Sequence, residues 1–161
     1  MENKKIQLLF VDDESTIRLT LPRILEQQGF EVSVAGTVKE ALDLINRKTF
    51  DVLLSDLNIG EPGDGFTVVG VMRRVQPDAA TLILTGFPDF ESALMAIRNQ
   101  VDDYLTKPAE IPALVGAIVE KVKNRRPIRS VLTRRVPELL RERLDELFER
   151  WLNRISAVPE L

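Results

Sequence analysis

Five short apolar runs rich in β-branched residues alternate with five stretches of helical period, and this alternation governs residues 6–123. The runs cover 6–11, 31–35, 51–56, 81–85 and 101–106; the helical stretches cover 14–28, 38–48, 65–75, 89–99 and 111–123. A helix after every strand predicts a parallel sheet with helices on both faces. Runs such as DVLLSD and TLILT are apolar almost throughout, as strands covered on both sides must be. Right-handed crossovers leave two common doubly wound orders, and five strands favour 2-1-3-4-5. Local signals agree. Thr37 is placed to cap the second helix, and Gly29 to close the first as its C′ residue. Pro22 falls inside the first helix and predicts a kink there.

Composition narrows the chemistry. Apolar residues make up 44% and charged residues 29%, a globular balance rather than a disordered one. No apolar stretch approaches the roughly 20 residues that span a bilayer. The start, MENKKIQLLF, is too short and too polar for a secretory signal. With no cysteine and no histidine, disulfides, thiolate and imidazole ligands, and histidine acid–base chemistry are all excluded. The net charge of −3 conceals a split: residues 1–120 carry −8 and residues 121–161 carry +5. Seven basic residues and no acid lie in KVKNRRPIRSVLTRR, residues 121–135. A boundary is expected there, with a folded domain over 1–124, a basic linker over 125–136 and an amphipathic helix over 137–161.

An open parallel sheet places its functional groups at the carboxyl ends of its strands, beside the switch in strand order. For the order 2-1-3-4-5 that switch lies between the first and third strands. The first strand ends in Asp12 and Asp13, the third in Asp56, the fourth in Thr85, and the fifth in Thr106 and Lys107. Three carboxylates without nitrogen or sulfur ligands suit a hard divalent cation such as Mg²⁺. The cation offsets a repulsion that otherwise disfavours the charged carboxylates. A carboxylate beside a metal also serves as a nucleophile, as in aspartyl phosphates. Lys107 and the Thr85 hydroxyl are then placed to contact phosphoryl oxygens.

Four segments, FVDDE (10–14), LLSDLN (53–58), LILTG (82–86) and DDYLTKP (102–108), fall in order at strand ends. Together they make residues 1–124 resemble the receiver domain of bacterial two-component response regulators. The resemblance implies a flavodoxin-like (βα)5 fold and a cytoplasmic signalling switch. It implies Asp56 as phospho-acceptor, with Asp13, Asp56 and the Asn58 backbone carbonyl ligating Mg²⁺ directly and Asp12 through water. It further implies Thr85 and Tyr104 as switch residues, Lys107 as the family's lysine, and a cis bond before Pro108. The expected partner is a histidine kinase or phosphotransfer protein, since this chain has no histidine to donate from. A homodimer through the fourth helix, fifth strand and fifth helix, or through the C-terminal helix, is also implied. One departure concerns the loop LNIGEPGDGF: Ile59 and Gly60 replace the family's methionine–proline pair, and Gly65 comes nine residues after Asp56 rather than eight. A longer, more flexible loop is expected.

Taken singly, each residue has a plainer explanation. An acidic pair after a strand often marks a helix N-terminus, Thr85 before Gly86 is a capping hydroxyl, Lys107 is a solvated cation, and Tyr104 is a core aromatic. The functional reading rests on their convergence at one sheet edge. Other readings stay open: a degenerate receiver acting by binding alone, or a nucleic-acid-binding output using the basic run. The last is disfavoured, because the 34 residues after Pro127 leave little room for a helix-turn-helix. A haloacid-dehalogenase-like phosphatase shares the aspartate and Mg²⁺ but requires a D-x-D pattern where this chain has VDDE. The tail PELLRERLDELFERWLNRI places Leu140, Leu144, Leu147, Phe148, Trp151, Leu152 and Ile155 on one face, and its end resembles the first helix of the helical sensor module of stressosome regulators. It is read as a dimerisation or partner-binding helix, or as the start of an output domain continuing past Leu161.

Overall fold

The computed structural model describes residues 4–125. In chain order the elements are β1 (Ile6–Val11), α1 (Ser15–Gln27), β2 (Phe30–Ala35), α2 (Val38–Arg47), β3 (Val52–Asp56), α3 (Asp64–Val75), β4 (Ala80–Thr85), α4 (Phe90–Arg98), β5 (Asp103–Thr106) and α5 (Ile111–Asn124). The five strands form one parallel sheet in the order β2-β1-β3-β4-β5, as the alternation predicts.

Successive side chains of each strand leave on opposite faces, so each strand feeds two cores. Leu9, Val11, Leu53 and Ile83 meet residues of α2 and α3, including Ala41, Ile45, Val68 and Met72. Leu8, Phe10, Leu54 and Leu82 meet Leu25 of α1 and Leu114 and Ile118 of α5. This double burial explains why β3 and β4 carry so few polar residues.

Element ends follow local chemistry. Thr37 caps α2, its hydroxyl accepting from Glu40 N at 3.2 Å. Gly29, at φ +96°, is the left-handed residue that closes α1. Pro22 is buried inside α1, which runs on through it to Gln27. β5 is shorter than the predicted 101–106. Gln100 takes φ +54°, and the Asp102 carboxylate turns back to accept from Thr81 N at 2.7 Å and Thr81 Oγ1 at 3.1 Å.

The lower edge of the sheet is tied by charge. Arg73 donates to the Gln100 carbonyl at 2.8 Å and to its side-chain oxygen at 2.6 Å. Arg125, the first residue of the predicted basic linker, is partly buried: it donates to the Pro77 and Ala79 carbonyls and pairs with Asp102 at 3.1 Å. Burial holds its pKa below the ordinary arginine value. The rest of the expected linker and the whole 137–161 helix lie outside the described residues.

Candidate functional site

Asp12, Asp13 and Asp56 each bring a carboxylate oxygen within 4.8 Å of the others at the carboxyl end of β1 and β3. β1 and β3 are hydrogen-bonded neighbours in register from Leu8 with Val52 to Val11 with Ser55, so their ends must meet. The three acids differ in surroundings. Asp12 is buried, Asp56 partly buried and Asp13 exposed. Asp12 is fully engaged: Oδ1 accepts from Glu14 N at 2.9 Å and Oδ2 pairs with Lys107 Nζ at 2.7 Å. Arg18 steadies the same turn by donating to the Asp12 carbonyl at 2.9 Å. Asp13 Oδ2 accepts from Gly60 N at 3.0 Å, which links the first acid turn to the loop after β3.

Asp56 Oδ1 accepts from Leu57 N at 2.7 Å, and Oδ2 lies 3.5 Å from Lys107 Nζ. Burial raises the Asp56 pKa above the ordinary value; Lys107 opposes that rise and Asp12 adds to it. Burial works against the Lys107 ammonium as well, yet its hydrogen bond to Asp12 and the two carboxylate charges leave its pKa raised. Lys107 reaches this position as the residue just after β5, and its own bond to Pro108 is cis.

The remaining predicted residues sit around this centre. Thr85 is fully buried at the end of β4, and its Oγ1 accepts from Phe87 N at 3.2 Å. Tyr104 is partly buried against the α2–α3 core, and its hydroxyl lies 2.7 Å from Ser92 Oγ of α4. Ser92 closes a capping box at the start of α4, its N donating to Asp89 Oδ1 at 2.8 Å and its Oγ accepting from Asp89 N at 3.3 Å; the Oγ also lies 3.1 Å from the Asp89 carbonyl. Asn58 turns its Oδ1 to Gly63 N at 3.1 Å and so braces its own loop.

Three residues escaped the sequence reading. Ile59, taken as a loop residue, is buried in the core. Arg18 lies one helical turn into α1, with no motif to mark it. Gly65 has a role beyond its spacing: a Cβ there would strike the Asp56 carbonyl oxygen and lie 2.9 Å from Leu57 Cα. Its N–H donates to the Leu57 carbonyl at 2.8 Å. The loop expected to be loose is internally bonded through Asn58, Gly63, Glu61 and Asp64.

A five-stranded doubly wound sheet with acids gathered at its switch point is the CheY-like form of the flavodoxin-like fold. The chain belongs to the response regulator receiver domain family, whose sequence profile matches residues 8–119. Among its relatives, the photosynthetic apparatus regulatory protein RegA of Rhodobacter capsulatus is 32% identical over 71% of this chain and 61% of its own length. The transcriptional regulatory protein GlrR of Escherichia coli (strain K12) is 32% identical over 88% of this chain and 33% of its own. The chain therefore spans less than two thirds of these relatives. A CheY-like receiver domain from Methanospirillum hungatei JF-1 superposes with a TM-score of 0.71 at 25% identity, covering 76% of this chain and 97% of that one. A response regulator from Burkholderia pseudomallei, solved with a phosphorylated aspartic acid, calcium ion and citrate, gives 0.67 at 28% identity, covering 95% of this chain and 89% of that one. Among the described residues no helix is long and apolar enough to cross a membrane.

Proposed function

We propose that this receiver accepts a phosphoryl group on Asp56 from a phosphohistidine of a partner kinase or phosphotransfer protein. One observation carries the reading: three carboxylates share a space 4.8 Å across, with the Lys107 ammonium 3.5 Å from Asp56. The donor set contains only oxygens, which fits Mg²⁺. Asp13, Asp56 and the Asn58 carbonyl would hold the ion directly. Asp12, whose oxygens already serve Lys107 and Glu14 N, would act through water. When bound, the ion supplies positive charge that permits close approach of phosphate to the acids.

An Asp56 carboxylate oxygen attacks phosphorus; the new O–P bond forms as the P–N bond to the donor imidazole breaks. The bond electrons leave with the imidazole, which takes a proton. Lys107 neutralises charge on the phosphoryl oxygens. The product adds about −1.5 to −2 of charge beside Thr85, by analogy with other phosphorylated side chains. Thr85 turns its hydroxyl toward the phosphoryl group, Tyr104 moves into the vacated space, and the α4–β5–α5 face changes its binding of a partner. Support comes from the Burkholderia relative, which was solved with a phosphorylated aspartic acid and a calcium ion.

Incubation with acetyl phosphate and Mg²⁺ tests the assignment: wild type gains one acid-stable, base-labile phosphoryl group and Asp56→Ala none. Equal labelling of Asp56→Ala overturns it. A second reading, that the switch controls a nucleic-acid-binding output, is favoured by the names of GlrR and the alginate biosynthesis transcriptional regulatory protein AlgB of Pseudomonas putida. Salt-dependent DNA binding by the whole protein is its test.

A further inference from the structure

Each of the three clustered acids has one oxygen held by a backbone N–H. For Asp12 and Asp56 the donor is local, Glu14 N at 2.9 Å and Leu57 N at 2.7 Å. For Asp13 it is Gly60 N at 3.0 Å, 47 residues away in the loop after β3. Asp13 is also the exposed member of the trio, so it depends most on such a bond for a fixed side chain.

The loop holds this donor in place from both sides. Ile59 is buried in the α2–α3 core and bridges to Glu61. Glu61 N donates to Asp64 Oδ2 at 3.3 Å, and Gly63 N donates to Asn58 Oδ1 at 3.1 Å. Gly60 itself takes φ +84°, a conformation open to glycine at no steric cost. The proline that the family's pair places here has neither that φ nor an N–H. The loop's departure from the family pattern therefore exchanges a residue that cannot donate for one that does.

We infer that the Gly60 N–H is a positioning group for the cation: it fixes Asp13 across the gap between β1 and β3, with one carboxylate oxygen bonded and the other left for Mg²⁺. Outer hydrogen bonds of this kind orient ligating carboxylates, and their loss typically costs about ten- to a hundredfold in metal affinity. The coupling is reciprocal. An ion that fixes Asp13 also fixes the loop, so Mg²⁺ should slow hydrogen exchange at the Gly60 amide. This role rests on the reading of Asp12, Asp13 and Asp56 as one cation site.

Calorimetric titration of the full chain with Mg²⁺, beside hydrogen exchange at residue 60, tests it. Gly60→Pro removes the N–H and should weaken Mg²⁺ binding by about tenfold. Gly60→Asn keeps the N–H, and asparagine tolerates a positive φ better than most residues. A Cβ at this position meets no atom within 4 Å, so Gly60→Asn should bind Mg²⁺ nearly as wild type does. Proline also constrains the residue before it, and a double-mutant cycle separates the lost bond from damage to the loop. In the Asp13→Ala background, Gly60→Pro should cause no further loss. In chelator, the Gly60 amide should exchange slowly in wild type and faster in Asp13→Ala. Urea unfolding confirms that each variant is folded. If Gly60→Pro binds Mg²⁺ as wild type does, or costs as much in Asp13→Ala as alone, the inference is overturned while the cation site stands. Gly60→Asn as weak as Gly60→Pro assigns the effect to the backbone and overturns it as well. A wild-type chain that binds no Mg²⁺ defeats the cation reading, and this role with it.

Discussion

Asp56 is ionised at a structural cost. Burial and the nearby Asp12 favour its protonated form, and Lys107 does not fully compensate. A folded-state pKa above the ordinary 3.8 means that the folded chain holds this proton more tightly than the unfolded one. Stability from this group is complete below pH 3.8 and is lost as pH rises through the folded value. In chelator, Asp56→Asn should therefore unfold at higher denaturant concentration than wild type at pH 7, by a few tenths to about 1 kcal/mol. The difference should shrink as pH falls toward 3.8. Gly65 makes a sterically firmer case. Gly65→Ala forces its Cβ into the carbonyl of Asp56, with no flexible side chain to yield. Urea unfolding should show a loss of about 2 kcal/mol or more, and labelling of Asp56 should slow. The acids were legible in the sequence because their types and strand-end positions sufficed. Arg18 and Ile59 were not, because their roles depend on where loops fold back, which residue spacing does not encode.

At the scale of elements, a single side-chain hydrogen bond among the described residues joins β5 and α4, between Tyr104 and Ser92 at 2.7 Å. Tyr104→Phe removes only that bond. Thermal unfolding should report a loss of about 1 kcal/mol, labelling of Asp56 should continue, and the response of any partner to phosphorylation should weaken. An unchanged response would separate Tyr104 from the switch. Strand positions were read to within one residue for β1 to β4, because a doubly covered strand is almost purely apolar and turns bound it. β5 was read two residues too long, since Val101 reads as the first apolar residue of the strand while Asp102 is bent back onto Thr81. Helix ends were read closely where a cap was explicit, as at Thr37 and Gly29. Asp89 and Asn99, placed inside the fourth helix by periodicity, are its caps instead.

For the whole molecule, topology does most of the assembly. Parallel strands in the order β2-β1-β3-β4-β5 place the ends of β1 and β3 side by side and bring Lys107 from β5 to meet them across β4. Residues 44 positions apart in sequence, Asp12 and Asp56, thereby share one pocket. This convergence was predictable because the crossover rule leaves few alternatives. The chemistry of the 125–161 segment was not, because one amphipathic pattern is compatible with several partners. The central claim is that the three acids act as one cation site that presents Asp56 for phosphoryl transfer. Calorimetric titration with Mg²⁺ tests it most directly. One ion should bind per chain, with Asp13→Ala and Asp56→Ala each weakening affinity by about tenfold or more. Binding unchanged in both variants, or no binding to the wild-type chain, would contradict it.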